Sequence, residues 1–369
     1  MGNKNQRGTY VSSVTSITSY SRAKSRRRSE NSGSSKERSS ITTSTEIPVL
    51  FTTFRRVKYR WNLCGTYDPK RRVDVVTVRA VKKRVDGRTL FVDKCISLLA
   101  TSTAIQFARN EVEIMTYVQR YAEEHIGTLH ANIVHLFGYY NHKRNVHVVM
   151  EYCEFGSVYA MHMDAHADSP RGSRGMDQSH IQTPDDAKDF MRQVSSGVAF
   201  LHATGVAHCD LALENVYLTQ TFTYKVGDFE HATFVGVATP KHKLRYAAPP
   251  CRVYGAPELF CPDGESREVD MFKADVWALG AMLFMLLTRE PLMEEATLDN
   301  DYYKEFVNAG IRGFIQQRMA GAGAACLVEV TEDMLLLFEG MLAIDPRQRW
   351  SAADIVACSW LKSTGSILD

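Results

Sequence analysis

The sequence lacks the features that define several protein classes. Its eight cysteines include no Cys-x-x-Cys pair, which leaves no zinc-finger spacing. The longest apolar run, residues 277–287, has eleven residues, too few to cross a bilayer core of about 30 Å. No apolar signal peptide is visible at the N-terminus. We therefore expect no membrane span, reduced thiols and a cytoplasmic location.

The chain also has little net charge, and that charge is unevenly distributed. Its 44 Lys and Arg against 42 Asp and Glu leave +2. Residues 1–45 hold nine basic and two acidic side chains, so the remainder has 35 basic and 40 acidic residues, a net of −5. The body therefore gives no reason to expect a nucleic-acid partner.

The basic tail has a composition typical of disorder. Nineteen of its first 45 residues are Ser or Thr, with hardly a large apolar side chain among them. Such a segment cannot offset its ordering entropy by burial, so we expect residues 1–46 to be disordered. Arg26–Arg28 before Ser29 leaves a phosphorylation site or a nuclear signal as alternatives to a plain solvated tail.

The remaining chain reads as an α+β protein, and its 44 % hydrophobic content can bury a sizeable core. Early residues are rich in Val, Tyr, Trp and Thr, which favours strands, and later ones are mostly helical. A polar stretch at 164–182 indicates a loop insertion or hinge. Strands are expected from 48 to 83 and at 146–152, and helices at 102–122 and 183–202.

Three motifs follow one another in the middle of the chain. His208-Cys209-Asp210 leads to Asn215, Asp228-Phe229-Glu230 follows, and Ala256-Pro257-Glu258 comes next. In this order they resemble the eukaryotic protein kinase superfamily over roughly residues 57–363. The resemblance implies a bilobal kinase-like domain at 47–365, with a small β-rich lobe at about 47–152 and a larger helical lobe at about 153–365.

The resemblance assigns a role to each reactive residue. Phosphoryl transfer depends on positioning and charge neutralisation. Asp210 would be the catalytic base, and Asn215 and Asp228 would bind Mg²⁺ through hard oxygen ligands. Ala80-Val81-Lys82 resembles the strand that supplies the phosphate-binding lysine, which makes Glu111 the predicted partner of Lys82.

Further residues are expected around ATP or in support of the loop. Met150 would be the gatekeeper, and the Asp275 segment would hold the catalytic loop from a buried helix. Arg349 would pair with Glu258. The remaining residues expected to bind the nucleotide are Gly65, Ala80, Glu151, Cys153 and Tyr217.

The phosphate cover departs most clearly from the family. Residues 63–70 contain one glycine, Gly65, where the family has three, and close approach to phosphate favours glycine. Gly65 lies only 17 residues before Lys82, so the hairpin looks shortened. Lys70, Arg71 or Arg72 could cover the phosphates instead, although a surface turn is the favoured reading.

Other departures lie beside the catalytic residues. Glu230 replaces the glycine after Asp-Phe and could be a metal ligand, a repulsive charge or a solvent-facing side chain, the last being favoured. Cys209 replaces the arginine that usually receives an activation-loop phosphate. Ala212 and Cys251 replace a lysine and a threonine that meet in Ser/Thr kinases. Cys209 and Cys251 are either a redox pair or two unrelated thiols, the second being favoured.

The sequence therefore predicts an ATP- and Mg²⁺-dependent protein kinase, Ser/Thr-directed, acting on protein hydroxyl groups. The alternative is a pseudokinase that works as a binding or scaffold protein, because the phosphate loop, Glu230, Cys209 and Ala212 all depart from the family. A small-molecule kinase is a third possibility. The oligomeric state and the identity of the protein substrate have no signature in the sequence.

Overall fold

The structure is a computed structural model that divides the chain into two compact units. The described residues within 54–112 and 136–152 form one unit, and those within 113–135 and 153–362 form the other. The predicted tail, the phosphate-cover candidates Lys70 to Arg72 and nearly all of 164–182 lie outside the described residues. The described residues are 54–55, 62–68, 73–83, 90–97, 102–141, 145–163, 181, 183–236, 249–260, 269–322 and 329–362.

The smaller unit is built on an antiparallel sheet, as its Val-, Thr- and Tyr-rich sequence predicts. The sheet order is β1-β3-β4-β6-β5, with β2 paired to β3. The strands expected from 48 to 83 are confirmed in the described residues at 54–55, 62–68 and 73–83, and the strand expected at 146–152 is confirmed up to Glu151. The strands are β1 (Phe54–Arg55), β2 (Asn62–Asp68), β3 (Val73–Lys83), β4 (Leu90–Ser97), β5 (Leu136–Asn141) and β6 (Asn145–Glu151).

A long helix, α1 (Ser102–Ile126), follows β4 and confirms the helix predicted at 102–122. Its first eleven residues belong to the smaller unit and the rest to the larger one. Ile114, Met115 and Val118 are buried along one side, as the spacing of apolar residues indicates. Glu111 is also buried on this helix, which requires a partner for its charge.

The larger unit is mostly helical and is organised around α4 (Met271–Thr288). This helix is long and apolar enough to cross a membrane by length and composition, but 83 % of that window is buried inside the protein. A helix that is apolar on all sides is typical of a core position. The other helices are α2 (Val158–Met163), α3 (Pro184–Ala203), α5 (Asp301–Ala322), α6 (Glu332–Met341), α7 (Ala352–Ala357) and α8 (Ser359–Lys362).

The start of α3 follows directly from its sequence. Thr183 accepts a hydrogen bond from the Asp186 N–H, and the Asp186 side chain accepts one from the Thr183 N–H. Pro184 occupies the first turn, where its missing N–H costs nothing. The predicted helix start at Thr183 is therefore confirmed as a capping box.

Short strands and turns carry the loops of the larger unit. Three-residue 3-10 turns at Leu213–Asn215 and Phe229–His231 lie beside two of these strands. A small antiparallel sheet has the order β10-β9-β7, and β8 pairs with β11. The predicted α+β class, with a β-rich part and a helical part, is confirmed. The short strands are β7 (Gly156–Ser157), β8 (Val206–Ala207), β9 (Val216–Leu218), β10 (Tyr224–Val226) and β11 (Thr233–Phe234).

Candidate active site

One buried carboxylate accepts hydrogen bonds from the start of the loop that follows β8. Asp275, near the start of α4, accepts hydrogen bonds from the backbone N–H of His208 at 2.7 Å and of Cys209 at 2.9 Å. A third contact joins its Oδ2 to His202 Nε2 at 2.9 Å. Because the loop lacks a strand ladder to satisfy these N–H groups, the carboxylate replaces it. The predicted supporting role of the Asp275 segment is confirmed.

Asp210 lies at the end of this anchored loop. The Asn215 side-chain amide donates to the Asp210 carbonyl at 2.8 Å and to its Oδ2 at 3.1 Å. Burial and the nearby charge of Asp228 raise the pKa of the Asp210 carboxyl well above its usual range, while the bond from Asn215 opposes this. A carboxylate with a raised pKa is a better proton acceptor than an ordinary surface aspartate.

Asp228 is brought to the same loop by backbone contacts. The Gly227 N–H donates to the Asn215 carbonyl at 3.0 Å, and His208 Nε2 lies 3.0 Å from the Gly227 carbonyl. Asp228 itself adopts a left-handed conformation with φ 62°, in which aspartate is enriched among residues other than glycine. The structure thus joins three sequence-predicted residues, Asp210, Asn215 and Asp228, in one place.

The donor atoms of this cluster fit Mg²⁺ held together with a nucleotide. Asp228 supplies carboxylate oxygens, and Asn215 keeps a carbonyl oxygen after its amide has donated to Asp210. Mg²⁺ is commonly bound by one or two protein oxygens plus substrate phosphates. Within the described ranges, no group of three or more His, Cys, Asp or Glu side chains forms a self-sufficient metal site. The Asp228 charge that raises the pKa of Asp210 is the charge that a cation would neutralise.

The burial of Glu230 differs from the prediction favoured by the sequence. It is only 2 % exposed, so the prediction of a solvent-facing side chain is wrong. The 3-10 turn that follows the left-handed Asp228 directs Glu230 inward, where His231 Nε2 lies 3.5 Å from its Oε1. The residue therefore adds a buried acidic group two positions after Asp228.

Glu111 has a lysine partner that the sequence did not predict. Glu111 on α1 forms its ion pair with Lys94 on β4, with 2.8 Å between Nζ and Oε2 and both side chains at most 3 % exposed. Lys82 lies one strand earlier, on β3, where it pairs with Leu90. The predicted partner of Glu111 was Lys82, whose side chain lies outside the described residues, so that pairing stays a prediction beside the observed Lys94–Glu111 pair. Lys82 was chosen because it follows an Ala-Val pair on a strand, a local likeness that Lys94 lacks.

A turn signal in the sequence could have found Lys94. Asp86-Gly87 is a common hairpin pair and separates the segment of Lys82 from that of Lys94. The unusually short interval between Gly65 and Lys82 also indicated that one more strand, β4, lies between Gly65 and the lysine that pairs with Glu111. Gly65 lies on β2 and Ala80 on β3, and the side chains of Ala80 and Lys82 fall outside the part described.

The expected adenine-side residues are distributed over both units. In the smaller unit, Met150 is buried on β6 opposite Val92, and Glu151 ends the same strand. In the larger unit, the buried Cys153 accepts a hydrogen bond from the Gly156 N–H at 3.1 Å. Tyr217 lies on β9, paired with Ser157 of β7. Each residue has a defined position, and its role toward a nucleotide stays a prediction.

A pocket beside Cys251 has a volume of about 20 Å³, which is room for about one water molecule. Cys209, Asp210 and Cys251 all contribute to its lining. Burial raises the pKa of the Cys251 thiol to about 12, so this thiol stays protonated at neutral pH and is a poor nucleophile. Both cysteines are free, in keeping with the favoured reading of two unrelated thiols.

Another contact links this region to the catalytic loop. The Tyr254 hydroxyl donates to Glu214 Oε2 at 3.1 Å, one residue before Asn215. Burial raises the pKa of Glu214, and the bond from Tyr254 opposes that rise. Sequence reasoning missed this pair, because nothing in the spacing of residues 214 and 254 indicates a contact.

The expected structural ion pair of the larger unit is present. Arg349 Nη1 lies 2.7 Å from Glu258 Oε1, and Nη2 lies 3.1 Å from Oε2. Arg349 is 2 % exposed and also donates to the carbonyls of Lys273 and Ala343. Such a fully hydrogen-bonded buried pair stabilises one arrangement of the segments it joins, and losing either partner would leave a buried charge unpaired.

Comparison with known proteins agrees with this arrangement. The protein kinase domain model matches residues 75–361. The chain is 26 % identical over 230 residues to the serine/threonine-protein kinase PLK4 of Xenopus laevis, covering 62 % of this chain and 21 % of that protein. It is 26 % identical over 245 residues to the serine/threonine-protein kinase polo of Drosophila melanogaster, covering 64 % and 38 %.

A plant relative matches a longer part of the chain. The CBL-interacting protein kinase 25 of Oryza sativa is 27 % identical over 285 residues, covering 77 % of this chain and 47 % of that protein. The chain thus spans less than half the length of each of these three relatives.

Proposed function

Because the chain belongs to the protein kinase domain family, we propose that it transfers the γ-phosphate of ATP to a protein hydroxyl group. The observation that carries the proposal is Asp210, held by Asn215 beside the charge of Asp228. A carboxylate fixed in this way can orient an acceptor hydroxyl and receive its proton. Asp210 is the proposed catalytic base.

The charges around ATP are assigned to residues of each unit. Asp228 and the carbonyl oxygen of Asn215 would hold Mg²⁺, which would neutralise phosphate charge in the reaction. Lys94, rather than Lys82, is the proposed phosphate-binding lysine, because Glu111 orients its ammonium group through the buried ion pair. Met150, Glu151, Cys153 and Tyr217 remain the proposed adenine-side residues.

Serine or threonine is the proposed acceptor. The relatives that match this chain are named serine/threonine kinases, which supports the preference. Ala212 and Cys251 stand where a lysine and a threonine are typical of such kinases, so the acceptor is selected without that pair. The proposed location is the cytoplasm.

A pseudokinase is the second candidate, and two observations favour it. Glu230 is buried two residues after Asp228, where its negative charge would oppose phosphate. The segment joining β2 to β3 contains no glycine between Asp68 and Val73, so it has no residue adapted for close backbone approach to phosphate. In this case the fold would bind a partner protein without catalysis.

Phosphate transfer by the full chain separates the two candidates. The purified protein would be incubated with Mg²⁺-ATP and a degenerate set of Ser-, Thr- and Tyr-containing peptides, with phosphopeptides identified by mass spectrometry. The proposal predicts phosphorylation on Ser or Thr that Asp210→Asn abolishes. Glu230→Gly is the matched variant, and it should retain or increase transfer.

Two outcomes would oppose the proposal. A folded protein that binds Mg²⁺-ATP but phosphorylates neither itself nor any peptide is a pseudokinase. Phosphorylation that survives Asp210→Asn would show that another group, or a contaminating kinase, performs the reaction.

A further inference from the structure

A buried polar cluster on the sheet of the smaller unit includes none of the residues assigned to ATP. His147 Nδ1 is 2.8 Å and 3.0 Å from the two carboxylate oxygens of Asp93. The His147 ring stacks on Tyr140, with centroids 4.6 Å apart and planes 3° apart. Asp93, Cys95 and His147 are all buried. Burying such a pair is costly, so its presence calls for a reason beyond stability.

The strand register places this cluster and Lys94 on opposite sides of β4. Cys95 is paired with His147 and Asp93 with Val149 across the β4–β6 ladder. Because consecutive side chains of a strand alternate between its faces, Asp93 and Lys94 point in opposite directions. Asp93 reaches His147 as a diagonal neighbour, a distance that long side chains can span.

Strand β4 therefore carries two successive buried charges, each paired with an opposite charge. Lys94 meets Glu111 on one face, and Asp93 meets His147 on the other. Burial alone lowers the pKa of His147, but hydrogen bonds from its ring to Asp93 and Cys95 and the charge of Asp93 raise it to about 9. His147 is consequently a cation at neutral pH.

A slip of β4 by one residue would exchange the two faces. Asp93 would then face Glu111, and Lys94 would face the His147 cation. Both favourable pairs would become repulsive pairs in a buried setting, where like charges repel more strongly than they do in water. The correct register is thus selected by charge as well as by apolar packing.

We propose that Asp93 and His147 are positioning residues that fix the register of β4 and so keep Lys94 on the side of Glu111. The role in catalysis rests on the proposed function, since it matters only if Lys94 binds phosphate. The effect on the position of Lys94 does not rest on the proposed function, because it concerns only the location of one ammonium group.

Selective acylation of lysines measures that location directly. The full chain, without nucleotide, would be treated briefly with a succinimidyl ester, and the labelling rate of each lysine determined by peptide mass spectrometry. Lys304, whose side chain is 49 % exposed, serves as the internal reference. Asp93→Asn should raise the labelling rate of Lys94 relative to Lys304 on the order of tenfold. A charged hydrogen bond contributes about that factor to the equilibrium between the native and the shifted register of β4.

A matched control changes the same sheet face without touching the ion pair. Asn145 donates to Cys95 Sγ at 3.5 Å, and Asn145→Ala removes that weak contact alone. This variant should leave the relative labelling of Lys94 unchanged. An equal rise in Asn145→Ala, or no rise in an Asp93→Asn protein whose circular dichroism is native, would overturn the proposal.

Dependence on pH tests the proposal even if Asp93→Asn fails to fold. The titratable groups against His147 are Asp93 and Cys95 on β4 and Tyr140 on β5. Because the pKa of His147 is raised to about 9 from 6.5, its contribution is complete below 6.5 and is lost as the pH rises through about 9. The Lys94-to-Lys304 ratio should rise over that interval in the wild type.

His147→Lys supplies a cation that titrates at higher pH. In this variant the rise should move to higher pH, and the same course in both proteins would contradict the positioning role. Adding Mg²⁺-ATP tests the proposed function separately, because bound phosphate should shield Lys94 from acylation. If ATP failed to protect Lys94 while Asp93→Asn gave the expected response, ATP binding at Lys94 would be disproved and the positioning role would stand.

Discussion

The catalytic loop of the larger unit and the lysine-bearing strand of the smaller unit are fixed by different means. The loop leaves backbone N–H groups that need acceptors, and Asp275 binds those of His208 and Cys209. The backbone of β4 is already engaged in ladders with β3 and β6. The register of the strand can then be selected only by its side chains, among them the ion pairs of Lys94 and Asp93.

This contrast has a physical consequence for the two parts. Two backbone N–H groups of the loop share one carboxylate as acceptor, so a change at that residue disturbs both contacts at once. A strand held by a ladder stays folded when one ion pair is lost. The loss makes the register of the strand less strongly specified. Substitutions in the larger unit should therefore affect folding or chemistry, and those in the smaller unit should affect nucleotide binding.

The largest expected effect is on catalysis through Asp210. Asp210→Asn should lower kcat by about 10²- to 10⁴-fold, because the amide cannot accept the proton of the acceptor hydroxyl. Rates would be measured with saturating Mg²⁺-ATP and the best peptide from the screen. A loss confined to KM would place Asp210 in substrate binding and contradict its role as the base.

The same variant should be more stable than the wild type at neutral pH. Because the pKa of Asp210 in the folded protein is raised, its stabilising contribution is present at low pH and is lost as the pH rises through the raised pKa. Removing the charge should increase the free energy of unfolding at pH 7 by about 1 kcal/mol. Urea unfolding measures it, and lower stability would show that the ionised carboxylate is satisfied.

Asp275→Asn tests how far the loop depends on one carboxylate. The amide replaces one acceptor with a donor that faces backbone N–H groups, so the free energy of unfolding should fall by about 3 kcal/mol. Asp270→Asn is the control on the same helix, since Asp270 caps α4 by accepting from Phe272 and Lys273. Asparagine caps equally well, so its effect should be under about 0.5 kcal/mol. Similar losses in both would contradict the special role of Asp275.

The smallest expected effect concerns the backbone at Cys209. Its φ of 63° is left-handed, which glycine adopts without strain, so Cys209→Gly should be neutral or stabilising by about 0.5 kcal/mol. Ala207→Gly, two residues earlier in β8, should instead cost about 1 kcal/mol. Thermal unfolding compares the two. A loss at Cys209 equal to that at Ala207 would mean that the cysteine side chain itself stabilises the loop.

The two regions also differ in how well their sequence predicted them. Asp210, Asn215 and Asp228 could be assigned because each lies in a contiguous motif that encodes both the chemistry and the local turn. Lys82 was chosen over Lys94 because a lysine after Ala-Val on a strand is a weak pattern that takes no account of the number of strands. The helix start at Thr183 was predicted because a capping box is local in sequence.

Contacts between distant segments were beyond sequence reasoning. The burial of Glu230 follows from the left-handed Asp228, which no composition or spacing reveals. The Asp93–His147 pair depends on the β4–β6 register, and the Glu214–Tyr254 bond depends on a turn 40 residues away. Each becomes visible only once strands and loops have been placed in space.

The identity of the phosphate-binding lysine is the central claim, and ligand-induced stabilisation tests it. Mg²⁺-ATP at 100 times its dissociation constant should add about 2.7 kcal/mol to the free energy of unfolding, seen as a higher thermal midpoint. The account predicts that Lys94→Met abolishes this shift and that Lys82→Met retains it. Lys94→Met/Glu111→Leu, which leaves no unpaired buried charge, serves if the single variant unfolds. A shift lost in Lys82→Met and retained in the Lys94 variants would contradict the account.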